Sequence, residues 1–146
     1  MLNFQGLEMA QQDCVFCKII AGQVPCYKIF ENDSVLSFLD INPISDGHTV
    51  VIPKAHYERI DQCPPEILGE VAKALPQIAK AVTAAVDAPA FNTLCNNGSP
   101  AGQVVKHIHF HIIPRRENDK VFTQWPKYTY PDGKAAELHK KILAQL

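Results

Sequence analysis

The chain has no apolar run long enough to cross a bilayer and no apolar leader stretch near its start. A membrane span and a secretory route are therefore not expected. Charge of neither sign is in excess: Lys and Arg number 14, Asp and Glu 15, for a net charge of −1. That leaves no electrostatic footprint for nucleic acid. Charged residues make up only 20% of the sequence and hydrophobic ones 47%, which is globular rather than disordered. The five cysteines are an odd number, so a complete disulfide framework is excluded and reduced thiols in a cytoplasmic protein are expected. There is no internal repeat, low-complexity tract or linker, and 146 residues suit one domain with one core. The start, Met1 to Glu8, precedes a second methionine, Met9. Its Asn-Phe-Gln-Gly looks like the remnant of a protease-cleavage tag, so residues 1–8 are set aside and 9–146 are read as the domain.

What the chain does have is Lys106-His107-Ile108-His109-Phe110-His111-Ile112-Ile113-Pro114. Three histidines alternate with large apolar residues. In an extended strand this puts three imidazoles on one face and a hydrophobic row on the other. The β-branched and aromatic content favours a strand. Three imidazoles in register build a site. One reading is a three-His metal site. The other is phosphoryl chemistry, with one His as nucleophile and another holding phosphate oxygens.

The rest of the chain supplies the surroundings. Cys14-Val15-Phe16-Cys17 is a C-x-x-C, either a redox pair or half of a metal site. Lys18–Gly22 fits a short helical turn stopped by Gly22. Cys26–Phe30 and Val35–Leu39 form a hairpin around Glu31-Asn32-Asp33-Ser34. Asp40 follows the second strand, either as a turn cap or as an acceptor for ribose hydroxyls. Gly47–Pro53 is a third strand, flanked by His48 and His56 near its opposite ends. Ile67, Val71, Leu75, Ile78, Val82 and Val86 mark the apolar stripe of a long helix opened by Pro64-Pro65 and kinked at Pro76. Phe91–Cys95 is a fourth strand. Asn96–Gln103 is a glycine-bearing loop suited to binding an anion, with Gly98 and Gly102 letting the backbone approach it. A segment around Trp125 reads as irregular. Ala135–Leu146 closes the chain as an amphipathic helix with Leu138, Ile142 and Leu146 on one face, and His139 in solvent.

Together these pieces resemble the histidine triad (HIT) family of nucleotide hydrolases and transferases. The likeness runs from Asp13 to about Pro114 and is greatest to the zinc-carrying adenosine phosphoramidate hydrolases. It rests on His107–Ile113, Cys14-x-x-Cys17-Lys18-Ile19-Ile20, Phe38-Leu39-Asp40-Ile41, Gly47–His56 and Asn96-Asn97-Gly98-x-x-x-Gly102-Gln103. It implies an α+β fold, with a five-stranded antiparallel sheet, one long helix and a C-terminal helix, and a homodimer. It implies structural zinc on Cys14, Cys17, His56 and His107. It makes His109 the nucleophile, His111 the holder of phosphate oxygens, most usefully as a cation, and His48 a supporting catalytic residue. Asn96, Gln103, Gly102 and the backbone around Ser99 would bind phosphate or leaving group, and Asp40 the ribose. Phe16, Ile19, Phe38, Ile41 and Val50 would form the purine slot. The expected reaction releases a nucleoside monophosphate, such as AMP, from an amine, acyl or phosphate leaving group. The rival expectation is a dimeric purine-nucleotide-binding adaptor with little turnover. Neither a nucleic-acid nor a membrane partner is expected.

Overall fold

A computed structural model of the chain describes residues 11–121 and 126–146. Residues 1–10, which include the proposed tag remnant, and residues 122–125, which include Trp125, lie outside the described residues. Helix α1 is Val15–Ile20. Strands β1 (Lys28–Glu31) and β2 (Val35–Leu39) form the expected hairpin. Asn32 closes it: its side-chain oxygen accepts the Ser34 and Val35 N–H groups at 2.9 and 2.8 Å, the turn chemistry that short Asx side chains provide. Strand β3 is Thr49–Pro53 and helix α2 is Pro65–Ala85. Strands β4 (Ala90–Leu94) and β5 (Phe110–Arg115) follow, and helix α3 is Lys134–Leu143. The strands pair antiparallel in the order β1-β2-β3-β5-β4. Among the described residues no helix is long and apolar enough to cross a membrane.

The two faces of the sheet follow from the period of two along each strand. One face presents Val35, Val51 and Ile112 to Val71, Ala74, Ile78, Ala79 and Val82 of α2. The apolar stripe of α2 thus packs as its 3.6-residue period requires. Pro76 lies inside the helix without interrupting it. The other face carries Leu36, Phe38, Val50 and Ile52, covered by Cys14 and Phe16 at the start of α1. Gly47 makes the entry to β3 possible. Its φ is +81°, and a Cβ there would lie 3.0 Å from Val86 Cγ1, so both the backbone conformation and the space favour glycine.

The histidine-rich stretch departs from its expected form. The strand begins only at Phe110, so His107 and His109 precede it. The ladder with β3 runs over Phe110–Ile112. Upstream the backbone bends, with the His107 N–H donating to the Val105 carbonyl at 2.9 Å. The three imidazoles therefore do not share one flat strand face.

Candidate active site and metal site

The bend divides the histidines between two clusters. At the first, Cys14 Sγ, Cys17 Sγ, His56 and His107 bring their donor atoms within 4.8 Å of one another. His107 is fully buried, and its Nε2–H donates to the Pro53 carbonyl at 2.8 Å. That leaves Nδ1 as the lone-pair nitrogen facing the thiols, the outer-shell arrangement typical of a ligating imidazole. The distances test the fit. Tetrahedral zinc with ordinary bond lengths places S and N ligands ~3.5 Å apart and two N ligands ~3.3 Å apart. The observed S to N separations are 3.5, 3.3 and 3.6 Å, and His56 Nδ1 lies 3.2 Å from His107 Nδ1. The donor set and its spacing fit a closed four-ligand site. Burial opposes ionisation of the Cys14 thiol, but the His107 and His56 imidazoles outweigh it and lower its pKa. Burial and then the Cys14 charge push the Cys17 thiol up. One thiolate is tolerated unaided; a bound dication would favour both.

The second cluster opens into a cavity of about 550 Å³, within the size range of small-molecule sites. His109, His111 and His48 line it together with Asp40, Asn96 and Gly102. Phe16, Ile19, Phe38, Ile41 and Val50, the expected purine slot, line it as well. Ile41 is 81% exposed and stands at the mouth. Phe16, in α1 between Cys14 and Cys17, sets its ring edge-on to both Phe38 and His109, at 5.5 and 5.3 Å between centroids.

Hydrogen-bond partners fix the imidazole tautomers. His109 Nδ1 lies 2.7 Å from the His107 carbonyl. A carbonyl only accepts, so Nδ1 carries the proton and Nε2 keeps its lone pair. At the neighbouring pair, the Ile44 N–H donates to His48 Nδ1 at 3.2 Å. His48 Nε2 must then carry the proton, which it donates to His111 Nδ1 at 2.8 Å. His111 is left with an Nε2–H. The rings of His109 and His111 meet edge to face at 5.0 Å. Among the described residues, one imidazole thus keeps an unused lone pair and the next an unused N–H.

Burial lowers the pKa of both His48 and His109, with the Asp40 charge acting in the opposite direction on each. His111 is lowered to about 4, by burial first and then by His109 and His48. Burial and the neighbouring imidazoles thus oppose the expected His111 cation in the ligand-free protein. Asp40 does two jobs. One carboxylate oxygen accepts the Asn42 N–H at 2.8 Å as a turn cap, and the other lies 3.5 Å from His48 Nε2. Asp40, His48 and His111 could also be taken for metal ligands. Their 2.8 Å nitrogen pair is a hydrogen bond rather than the ~3.3 Å edge of a shared metal.

Two loop residues sit differently from expectation. Ser99 and Gln103 are not part of the cavity wall. Gln103 is buried, and its carboxamide is spent on protein: Oε1 accepts the Gly98 N–H at 2.7 Å, while Nε2 donates to the Glu58 and Val105 carbonyls. It clamps the loop instead of reaching into the cavity. Gly102, at φ +89°, turns the chain past Asn96, whose Nδ2 a Cβ would approach to 3.4 Å. Leu94, Ile113, Ile44 and Val105 line the cavity without having been singled out. Ile113 was within reach, being two residues beyond His111 on the same strand face. Leu94 lies opposite His111 only through the β4–β5 register. The three triad histidines do not converge on one metal, because His107 serves the thiol cluster and His109 and His111 the cavity.

The arrangement is that of a known family. The HIT domain profile matches residues 21–118. The adenylylsulfatase HINT3 of Arabidopsis thaliana is 49% identical over 109 residues, 75% of this chain and 55% of that protein. The adenosine 5′-monophosphoramidase HNT1 of Saccharomyces cerevisiae is 40% identical over 134 residues, 91% of this chain and 82% of that protein. A crystal structure of a HIT family member from Bacillus subtilis superposes with a TM-score of 0.85 at 39% identity, covering 92% of this chain and 97% of that one. A Zn-bound histidine triad family protein from Mycobacterium smegmatis superposes at 0.72 and 37% identity, covering 92% and 96%. The chain belongs to the HIT domain family.

Proposed function

We propose that the protein releases a nucleoside monophosphate, AMP for preference, from a phosphoramidate or acyl phosphate through a covalent nucleotidyl-histidine. The carrying observation is the unprotonated Nε2 of His109 at the cavity, with the Nε2–H of His111 beside it. His109 Nε2 attacks the α-phosphorus as the bond to the leaving group breaks. The departing atom keeps the bonding pair and takes up a proton. Water then attacks phosphorus, the N–P bond breaks and AMP leaves. The neutral His111 donates to a nonbridging oxygen as charge builds there. Asp40 accepts the ribose hydroxyls through the oxygen not used by the turn. Asn96 and the Gly102 backbone meet the phosphate, with Gln103 holding that loop. The apolar slot from Phe16 to Val50 takes the purine. Among the described residues the cavity wall holds no lysine or arginine. This favours an uncharged amine or acyl leaving group over a polyphosphate, whose extra charges would lack partners. The names of the yeast relative, an adenosine 5′-monophosphoramidase, and of the plant relative, an adenylylsulfatase, support an adenylyl substrate, and the first supports the amine leaving group.

The thiol and imidazole quartet would hold structural zinc, a reading the Zn-bound mycobacterial relative supports. Bound there, zinc would close the N-terminal segment onto the core. Thiolate ligands need a reducing compartment, hence the cytoplasm. The assembly is a homodimer, to be checked by light scattering. The deciding experiment is intact-protein mass after brief, acid-free quenching with adenosine 5′-phosphoramidate, for wild type and His109→Gly. An adenylate adduct in wild type alone is expected. AMP binding without adduct or AMP release would instead indicate a nucleotide-binding adaptor.

A further inference from the structure

The two clusters are joined through the backbone between them. His107 and His109 lie upstream of the β5 ladder, so sheet hydrogen bonds do not hold them. The Pro53 carbonyl and Cys95 each hold one of them, and the rest of what holds them comes from the metal-ligand side. The His107 carbonyl accepts the proton that fixes the His109 tautomer, at 2.7 Å. Phe16, between Cys14 and Cys17, packs edge-on to His107 and His109 at 5.8 and 5.3 Å. The residues after His56 brace the same stretch. The Tyr57 carbonyl accepts the Ile108 N–H at 2.7 Å. The Glu58 carbonyl accepts Gln103 Nε2 at 2.7 Å, and the Ile60 N–H donates to Asn97 at 2.9 Å. Gln103 carries the brace on to Gly98.

We propose that the Cys14/Cys17/His56/His107 site is the positioning element for the nucleophile, so that metal loading sets catalytic competence and not only stability. Gln103 is the positioning residue that extends this control to the phosphate loop. The inference rests on the reading of the quartet as a zinc site and of His109 as nucleophile. With the metal bound, His56 and His107 are tied to one point. The Tyr57–Ile108 bond and the His107 carbonyl then have one arrangement. Without it, the brace, the His107–Pro53 bond and the backbone bond of His109 to Cys95 remain, but the ligand ends of His56 and His107 are no longer tied to one point, and His109 loses its single tautomer. The core against α2 shares no residue with the quartet, so the fold has a basis for surviving the loss.

The test compares zinc-loaded and chelated full-length protein. Long-range ¹H–¹⁵N spectra at fixed neutral pH report the His109 tautomer, and adenosine 5′-phosphoramidate turnover and AMP affinity are measured beside them. Expected are a single Nδ1–H tautomer when loaded, a mixture when chelated, and kcat lower by roughly 10- to 100-fold, the scale of outer-shell effects. An unchanged tautomer and kcat, with only a lower melting temperature, would overturn the proposal. Gln103→Leu keeps all four ligands and serves if chelation unfolds the chain. It should hold about one zinc per chain, as the wild type does, and lose roughly tenfold in kcat; wild-type kcat would sink the link. If neither form of the protein turns over the phosphoramidate, the enzymatic reading fails, while the tautomer comparison still decides the coupling.

Discussion

Against α2, the sheet presents Val35, Val51 and Ile112, and the helix answers with Val71, Ile78 and Val82. On the opposite face the same strands present Phe38, Val50 and His111 and are joined by His48 and His109. The first face is closed and mostly apolar, with the buried Ser37 and Thr49 as polar exceptions, and at its apolar positions any residue of the right volume serves it. The second buries the imidazoles of His48 and His109 and half-buries that of His111, an environment that favours their uncharged forms, each satisfied through a particular nitrogen. One face stores stability; the other gives some of it up, because burying a titratable group costs free energy unless it is paired.

Breaking the second face at its centre should have the largest effect. His109→Ala removes the nucleophile while leaving the α2 core intact, and kcat should fall by roughly 10⁴-fold or more at an unchanged urea midpoint. Retained activity would end the nucleophile assignment. Cys14→Ala should abolish stoichiometric zinc in elemental analysis and lower stability by several kcal/mol. Unchanged zinc content would contradict the quartet. Val71→Ala sharpens the contrast from the first face. It should cost about 2 kcal/mol in urea melts, from lost burial and a residual cavity, with kcat preserved.

Smaller effects separate paired roles. Asp40→Asn keeps an oxygen for the Asn42 N–H but no longer carries a carboxylate for the ribose. KM should rise about tenfold for ribonucleotides, the worth of one charge-assisted hydrogen bond. The rise should vanish for 2′,3′-dideoxy analogues. The pH dependence tests the neutral histidines. His111 is lowered to about 4 in the fold against the ordinary 6.5. Between these values the unfolded chain binds more protons, so stability falls as pH drops from about 6.5 to 4 and is unaffected by this group above that window. At pH 5 unfolding should take up about one proton through His111 alone. His111→Phe should remove that share, seen as a flatter dependence of the urea midpoint on pH.

Much of this was legible before any coordinates. The α2 stripe, the β1–β2 hairpin and the strand after Gly47 come from local rules of period and turn chemistry. The four residues of the thiol cluster and several of the cavity's lining residues were legible as expectations through the likeness of their motifs to the HIT family, while Leu94, Ile44 and Val105 were not. The likeness divides the histidines in outline, but the alternating pattern runs the strand back to His107, because period-two alternation looks the same whether or not a ladder is present. The Gln103 side chain suits either a phosphate or a backbone clamp. Only its neighbours, Gly98 and Glu58, decide which.

The amino-acid sequence determined which chemical groups are available and roughly which element each occupies, since periodicity and turn propensity act over a few residues. The tertiary structure decided which nitrogen of each histidine holds its proton. That choice depends on Pro53, Ile44 and the His107 carbonyl, groups brought to the rings by the pairing of strands and the bend before β5. A tautomer is set by a partner in space, and no local pattern encodes that partner.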